Sequence, residues 1–378
     1  MSRRADFSDL RILEALAKHG PRNVTEVARK LDMAAETLRK RIKRLRSQFF
    51  LRFGINIYHT FLGLKKAIVF AEAISGYEDM LLGILKKNDF WIALARCYGM
   101  FEGCVGVFII PKDHCAEFEH FLHEVQELGV ARNIQLFWST CFQSVSSRCN
   151  WFDQKSGDWK FQWDEWIKEI RSEKTELPYT LVDPTSFPMK GDEIDILILK
   201  ELEKDATISF NELGKKLGIS PQLVRYHYQK HLVEQGLIES FEVTFFHFDR
   251  QMSDFSFFIF RFDSTEKLTK FASSLLDKSF VKALGKILGE NTLYAYIYLP
   301  KSEFRRFLKV LSELVRSKVL QSYHYAIQDL ESSLRQTISY EYFKDGAWIY
   351  DHKKHIENLH NLVKETAFVT GTTREITL

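Results

Sequence analysis

The stretch "TLRKRIKRLR" at residues 37–46 places six basic residues in ten positions. Between them, Leu38, Ile42 and Leu45 recur at the i, i+4, i+7 spacing that puts apolar side chains on one face of a helix. We expect the basic side chains to point away from that face, and no acid within the stretch can pair with them. They are Arg39, Lys40, Arg41, Lys43, Arg44 and Arg46. Such a helix is either solvated and merely basic, or it lies against a polyanion.

The segments before the basic helix favour the second interpretation, in which the helix lies against a polyanion. "DLRILEALAKHG" at 9–20 has a helical apolar pattern that ends at a glycine, and "VTEVARKLDM" at 24–33 predicts a second short helix. With the basic helix they form a helix-turn-helix pattern. Residues 1–52 hold 14 Lys/Arg and 6 Asp/Glu, a balance of +8, whereas the whole chain carries only +3. This concentration of charge predicts contact with double-stranded DNA.

Composition limits the class of protein. The 378 residues allow two or more domains, and no apolar run approaches the roughly 18 residues of a membrane span. The start "MSRRADFSDL" lacks the apolar stretch of a signal peptide. Five cysteines without a C-x-x-C pair fit a reducing cytosol. We therefore expect a cytoplasmic protein with no membrane partner, and we find no phosphate-binding loop or nucleophile elbow that would indicate an enzyme.

The chain contains one unit twice. "VARKLDMAAETLRKRI" at 27–42 aligns with "LGKKLGISPQLVRYHY" at 213–228, an offset of 186. Further matches place His59 opposite His247 and Gly99 opposite Gly289, so the repeat spans roughly 185 residues. After each helical trio, apolar runs alternate in the order β-α-β-β-α-β, which is the ferredoxin-like split unit. One predicted strand is unusually long, "NIQLFWSTCFQSV" at 133–145.

The predicted fold class is therefore α+β, with two tandem units that each join a winged helix-turn-helix to a ferredoxin-like βαββαβ domain. In the first copy we expect a winged helix-turn-helix at 1–52, a βαββαβ domain at 53–148, and an aromatic segment with linker at 149–188. In the second copy we expect a winged helix-turn-helix at 189–245, a βαββαβ domain at 246–334, and a C-terminal aromatic segment with tail at 335–378.

This arrangement resembles the leucine-responsive and asparagine regulator (Lrp/AsnC) family of transcription factors. "LGISPQLVRYH" at 217–227 is similar to the family's turn and start of recognition helix, with Ser220 as N-cap and Pro221 as first helical residue. "GLIESFEV" at 236–243 resembles the step into the wing. The first copy departs from the pattern, since "DMAAETLRK" lacks the Ser-Pro cap and "SQFFLRFGI" lacks the glycine before the wing.

The resemblance implies a small effector, commonly an amino acid, beside the turn between the second and third strands of a βαββαβ domain. The residues that match this turn are Gly99 and Glu102 in the first copy and Gly289 and Glu290 in the second. It also implies that βαββαβ sheets pair. Because both copies share one chain, we expect an intramolecular pseudo-dimer, and whole chains could in addition form a homodimer.

The recognition helix of the second copy, called the second reading helix below, lies in a less basic segment than the helix at 37–46. Residues 191–240 hold 6 Lys/Arg and 9 Asp/Glu, a balance of −3. Its candidate DNA contacts are Arg225, Tyr226, Gln229 and Lys230. The alternative is that this copy serves dimerisation or faces a protein partner. The asymmetry of charge predicts an asymmetric DNA site.

An enzymatic alternative rests on "RFGINIYHTFLG" at 52–63, which resembles a stretch of siroheme decarboxylases. That resemblance implies that His59 would act on a porphyrin side chain, with Arg52, Lys65 and Lys66 near its carboxylates. The simpler interpretation of His59 and His247 is packing at a domain junction.

Other candidate clusters have structural interpretations. His120 and His123 are spaced to share a metal, but no second pair with ligand spacing accompanies them, so a polar helix face is favoured. The tryptophans between Trp151 and Trp166 are flanked by acids that would repel nucleic acid, which favours core packing. We therefore expect neither a metal nor a cofactor.

Overall fold

The first helix-turn-helix begins with a helix that is capped at both ends. A computed structural model describes residues 5–145, 149–172, 176–246 and 248–370. Asp6 accepts a hydrogen bond from the Asp9 amide at 2.8 Å, and Asp9 accepts one from the Asp6 amide at 3.0 Å, which makes a capping box. Gly20 ends the helix with a positive φ of 81°. The elements are α1 (Phe7–His19), α2 (Val24–Lys30), α3 (Ala35–Phe49) and β1 (Arg52–Ile57).

The first βαββαβ domain has the predicted order of elements. They are β2 (Leu64–Ala73), α4 (Glu78–Leu85), β3 (Trp91–Gly99), β4 (Gly103–Pro111), α5 (Cys115–Glu127) and β5 (Ala131–Ser139). The strands lie in the order β5-β2-β4-β3. The two helices bury their apolar side chains, among them Phe118 and Phe121, against this sheet.

The long strand predicted at 133–145 is wrong, because the chain leaves the first sheet after Ser139. Ser139 forms a single bridge with Ile287, and the Thr140 amide donates to the Lys286 carbonyl at 2.8 Å. The chain therefore continues as an edge strand of the second copy's sheet. The elements that follow are β6 (Gln143–Ser144), β7 (Phe152–Asp153), β8 (Asp158–Trp159) and α6 (Trp163–Ser172).

The second helix-turn-helix has the predicted cap. The Ser220 hydroxyl accepts from the Leu223 amide at 3.1 Å, and Pro221 is the first helical residue. The reading helix then changes from α-helical to π-helical geometry at His227, so it gains one residue relative to a regular helix. The elements are α7 (Glu193–Lys204), α8 (Phe210–Leu217), α9 (Pro221–Tyr226), its π-helical extension (His227–Val233) and β9 (Ile238–Thr244).

The second βαββαβ domain repeats the order of the first, which confirms the predicted fold class. Its elements are β10 (Ser253–Arg261), α10 (Thr265–Leu275), β11 (Val281–Lys286), β12 (Thr292–Pro300), α11 (Lys301–Arg316) and β13 (Ser322–Gln328). The strands lie in the order β13-β10-β12-β11, and β6 adds to the β11 edge. The chain ends with β14 (Leu334–Arg335), β15 (Phe343–Lys344), β16 (Ala347–Trp348) and α12 (His352–Thr370).

Packing divides the chain into two compact units that do not follow its sequence order. The first unit combines both helix-turn-helix segments with the second βαββαβ domain, in the ranges 1–63 and 139–327. The second unit combines the first βαββαβ domain with the C-terminal segment, in the ranges 64–138 and 328–378. Each copy's aromatic segment therefore packs on the βαββαβ domain of the other copy.

In the first unit, α6 covers the helices of the second βαββαβ domain. Trp166 is fully buried against Phe271 and Phe307, with ring centroids 5.8 and 5.9 Å away. Its indole N–H donates to the Ser274 hydroxyl at 3.0 Å. Trp163 is buried beside it. The prediction that these tryptophans pack in a core is therefore confirmed.

In the second unit, the C-terminal segment covers the first βαββαβ domain. Phe90 contacts the rings of Tyr342 and Tyr350 at 5.5 and 5.3 Å. The Asn88 amide donates to the Tyr350 hydroxyl at 2.8 Å. β14 adds to β3 by pairing Leu334 with Leu94. The sheet of this domain thus gains a short strand from the second copy, just as β6 of the first copy pairs with β11 of the second.

Asp89 is an electrostatic anchor for this C-terminal segment. Its carboxylate lies 3.0 Å from the Lys354 ammonium and 3.3 Å from His355 Nε2. Burial would raise the pKa of Asp89, but hydrogen bonds from His355, Tyr342 and Lys354 outweigh it and hold the pKa well below its usual range.

The variant Asp89→Asn should lower the free energy of unfolding at pH 7 by about 1–2 kcal/mol, because it removes charge-assisted hydrogen bonds. Since the folded pKa is depressed, this stabilisation is present above the unfolded pKa of about 3.9 and is lost as pH falls below it. Urea denaturation at pH 7 and pH 3 tests this. The difference between wild type and variant should shrink at pH 3, and an equal difference at both values would contradict the assignment.

Candidate nucleic-acid interface

Four of the six predicted cations on α3 are exposed to solvent, and three of these, Arg39, Lys40 and Lys43, lack a close partner among the described residues. The side chains of Arg39 and Lys40 are 56% and 77% exposed, and Lys43 is exposed as well. Arg39 and Lys40 approach Glu36 only at 3.9 and 4.0 Å, which is the limit of an ion pair. Exposed pairs of this kind contribute little. These three side chains are therefore available to a polyanion.

Arg41 and Arg44 are only partly exposed and turn towards α1, so their contact with DNA stays a prediction. Both contact Asp9, which is fully buried in the first turn of α1. Arg41 Nη1 donates to Asp9 Oδ1 at 2.8 Å and to Asp6 Oδ2 at 2.9 Å. These hydrogen bonds raise the pKa of Arg41. The two arginines thus compensate a buried carboxylate and attach the reading helix to the start of α1.

Arg46 is also engaged within the protein rather than free. Its guanidinium donates to the Thr207 hydroxyl at 2.9 Å and lies 3.9 Å from the Asp205 carboxylate. It also lies 5.2 Å from the centre of the Phe53 ring. Because Asp205 and Thr207 belong to the second copy, Arg46 connects the two helix-turn-helix segments.

The two helix-turn-helix segments form one continuous body. β1 and β9 pair as antiparallel strands, with Arg52 opposite Thr244 and Phe53 opposite Val243. Gly54 is needed in this pairing, since a β-carbon there would lie 2.9 Å from the Glu203 carbonyl oxygen. The two wings thus join into one ribbon.

Arg22 adds a polar contact to this junction. Its guanidinium lies 4.3 Å from the centre of the Phe210 ring and 4.9 Å from that of Tyr228, and it donates to the Ala206 carbonyl at 3.2 Å. The spacing of the two reading helices is therefore set by the chain itself.

The second reading helix exposes its predicted contacts but neutralises part of their charge. Arg225, Tyr226, Gln229 and Lys230 are all exposed. The Lys230 ammonium donates to both carboxylate oxygens of Glu234 at 2.9 Å. This helix therefore offers less free positive charge than α3.

The four predicted effector residues lie in the expected turns. Gly99 and Glu102 are exposed between β3 and β4. In the second copy, the Gly289 amide donates to Asp183 at 3.1 Å, and the Glu290 carboxylate accepts from the Thr292 hydroxyl at 2.9 Å. The second turn is thus already in contact with a carboxylate of the same chain.

His59 lies in a short 3-10 turn and is buried, with 4% of its surface exposed. His247 lies outside the described residues. Of the basic residues near His59 in the sequence, Arg52 is exposed and Lys66 is buried in β2.

His120 and His123 on α5 are exposed, and His120 contacts a histidine of the C-terminal segment within the same unit. His120 Nδ1 lies 2.9 Å from His352 Nε2, and His355 is buried against Asp89.

One polar cluster was not predicted from the sequence. Asp192, Asp195, His227 and His231 meet where α7 begins and the π-helical segment starts. The i, i+4 spacing of the two histidines was the signal that could have revealed it.

Comparison with known proteins identifies the helical segments. Residues 6–46 match the AsnC-type helix-turn-helix domain, and residues 191–239 match a winged helix-turn-helix DNA-binding domain. The HTH-type transcriptional regulator LrpA of Pyrococcus horikoshii is 34% identical over 114 residues, which cover 30% of this chain and 78% of LrpA. LrpA of Pyrococcus abyssi is 33% identical over 114 residues, with the same coverage.

These matches define a helix-turn-helix DNA-binding protein. The chain belongs to the Lrp/AsnC family of transcriptional regulators, as a tandem duplication. No helix among the described residues has the length and apolar character needed to cross a membrane.

A solved structure shares the duplicated architecture. The siroheme decarboxylase NirDL covers 95% of this chain and 99% of its own, with a TM-score of 0.56 and 12% identity. At this identity the likeness concerns the fold alone.

Proposed function

We propose that this chain regulates transcription by docking α3 on duplex DNA, with the second reading helix as a weaker contact. The observation that carries the proposal is the exposure of Arg39, Lys40 and Lys43 on a helix held in place by a buried ion pair. Phosphate neutralisation by such side chains supplies essentially all of the non-specific affinity of DNA-binding proteins and a large share of their specific affinity. An arginine at the start of the helix could also reach guanine edges.

The proposal includes an intramolecular pseudo-dimer. The ribbon of β1 and β9 and the exchange of aromatic segments support pairing of the two copies within one chain. Pairing of the two βαββαβ sheets stays a prediction, which cross-linking with mass spectrometry would test through links within single chains.

We expect the preferred DNA site to be asymmetric, since the charge balances of the two helix-turn-helix segments are +8 and −3. Selection of bound sequences from a random duplex library, followed by footprinting, measures this. In the footprint, the better protected half-site should lose its protection when the exposed cations of α3 are replaced. Enrichment of perfect palindromes protected equally on both halves would contradict the proposal.

An effector would act at the first turn, where Gly99 and Glu102 are exposed. The second turn is less suited, because Asp183 already accepts hydrogen bonds from Gly289 and Lys286 there. Calorimetric titration with single amino acids, repeated on the variant Glu102→Gln, tests this part of the proposal.

The architecture shared with NirDL favours a second candidate, a porphyrin-modifying enzyme. A visible spectrum of the purified protein with and without added iron porphyrin separates the two. A porphyrin spectrum that shifts on addition of protein would favour the enzyme, whereas DNA binding with no shift would favour the regulator.

A further inference from the structure

Four polar side chains converge beneath the second reading helix. His227 Nδ1 lies 2.8 Å from Asp195 Oδ1, and His231 Nδ1 lies 2.9 Å from Asp195 Oδ2. Asp192 completes the group, with its oxygens 3.7 and 3.8 Å from the same two nitrogens. One ligand atom from each residue lies within 4.8 Å of the others.

In the first copy, the third helix is also attached to an acid pair at the start of the first helix, but through arginines instead of histidines. Under the offset of 186, Asp6 and Asp9 correspond to Asp192 and Asp195, and Arg41 corresponds to His227. Both acid pairs form capping boxes. A guanidinium is always charged and has no acceptor, so the first copy can only form ion pairs here. An imidazole has a nitrogen lone pair and can also bind a metal ion.

We propose that Asp192, Asp195, His227 and His231 bind a divalent transition-metal ion, for which Zn²⁺ is the best fit. Two imidazoles and two carboxylates are a set of ligands that zinc accepts in tetrahedral geometry. Bonds of about 2.0–2.1 Å place tetrahedral ligands roughly 3.3 Å apart. Each histidine nitrogen lies 2.8–2.9 Å from one oxygen of Asp195 and 3.7–3.8 Å from one oxygen of Asp192, and the two histidines face different oxygens of each carboxylate. One ligand atom from each residue lies within 4.8 Å of the others, so rotation of the carboxylates and contraction of the group would complete the geometry.

The surroundings of the cluster are organised for binding. Asp192 and His231 are 51% and 22% exposed and give access from solvent, while Asp195 and His227 lie buried behind them. The Asp192 amide donates to Asp195 Oδ2 at 3.0 Å and the Asp195 amide donates to Asp192 Oδ1 at 2.9 Å, so both carboxylates are oriented. Binding requires neutral imidazoles with the proton on Nε2, which leaves the Nδ1 lone pair for the ion.

The π-helical geometry supports the assignment. His227 and His231 both lie in the π-helical segment His227–Val233. Insertions of this type are frequent at functional sites. A bound ion would join the start of α7 to the second reading helix and so fix the position of that helix.

Titration of the full-length, metal-free protein with Co²⁺ and then Zn²⁺ tests the proposal. We expect stoichiometric binding with the ligand-field absorption of tetrahedral Co²⁺, displacement by Zn²⁺, and a melting temperature that rises with metal concentration. The double variant His227→Arg/His231→Arg places two arginines beside the acid pair, as Arg41 and Arg44 lie beside Asp9 in the first copy, so it should keep the fold by circular dichroism and weaken metal binding by at least about tenfold.

Two further variants keep the test decisive. His231→Gln alters only the partly exposed ligand and should also weaken binding, whatever the stability of the double variant. His324→Gln changes an exposed histidine on β13 and is the matched control, which should bind metal like the wild type. Failure of the wild type to bind, or unchanged binding by the folded double variant and by His231→Gln, would overturn the proposal.

The result is separable from the proposed function. Binding of DNA by α3 is measured in the presence of EDTA, where the metal site is empty by design. A protein that binds DNA but no metal overturns only the metal site, and one that binds metal but no DNA overturns only the proposed function.

Discussion

Replacing Arg41 and Arg44 together with alanine is expected to destabilise the first helix-turn-helix by about 3 kcal/mol, because the change leaves the Asp9 carboxylate buried without a counter-charge. The two side chains are partly exposed, at 29% and 39%, which places the effect at the lower end for a buried pair. Chemical denaturation followed by circular dichroism measures it.

The matched control changes the same kind of residue on the same helix. Arg39→Ala with Lys40→Ala removes two exposed cations and should alter stability by less than about 0.5 kcal/mol. Adding Asp9→Asn to the Arg41/Arg44 variant should recover part of the stability, because it removes the uncompensated charge. Equal stability of the two double variants would show that Asp9 does not depend on the arginines.

Replacing Arg39, Lys40 and Lys43 with alanine is expected to lower affinity for duplex DNA by at least about tenfold at physiological salt. For every phosphate that the variant no longer neutralises, the slope of log K against log salt should become shallower by about 0.9. Because the ion pairs of Asp9 stay intact in this variant, the fold is preserved and the weaker binding reports on the DNA interface. Fluorescence anisotropy with labelled duplex at several salt concentrations measures both quantities.

Arg225→Ala with Lys230→Ala is the corresponding change in the second copy. It should weaken binding less, since Lys230 is already paired with Glu234. A larger decrease in affinity from the second copy than from the first would mean that the principal reading helix is α9 and not α3.

Much of the architecture is readable from local patterns. Apolar spacing predicts α1 to α3 and both βαββαβ units, and Ser220 with Pro221 marks the start of the second reading helix. These signals are local because a helix or strand is defined by neighbours within a few positions. The duplication strengthened them, since each copy repeats the pattern of the other.

The partners of charged side chains were not readable in the same way. Arg41 and Arg44 satisfy the local rule for solvent-facing residues, yet they pair with an acid more than 30 positions earlier. A repeated signal existed, since an acid pair spaced i, i+3 opens both α1 and α7. Which side chains pair with these acids depends on how the third helix of each copy packs against the first. The spacing of apolar residues along the sequence does not show this packing. Similarly, nothing in the aromatic segments indicated which copy each would cover.

The exchange of these aromatic segments has a consequence for synthesis on the ribosome. The four strands of the first βαββαβ domain itself have been made by Ser139, but the rings that cover the domain, such as Tyr342 and Tyr350, are made about 200 residues later. At about 5–20 residues per second, the domain waits on the order of ten seconds or more with Phe90 and its apolar neighbours uncovered. The nascent chain is therefore most prone to misassembly during this interval, and the final packing of the domain can form only once the C-terminal segment has been synthesised.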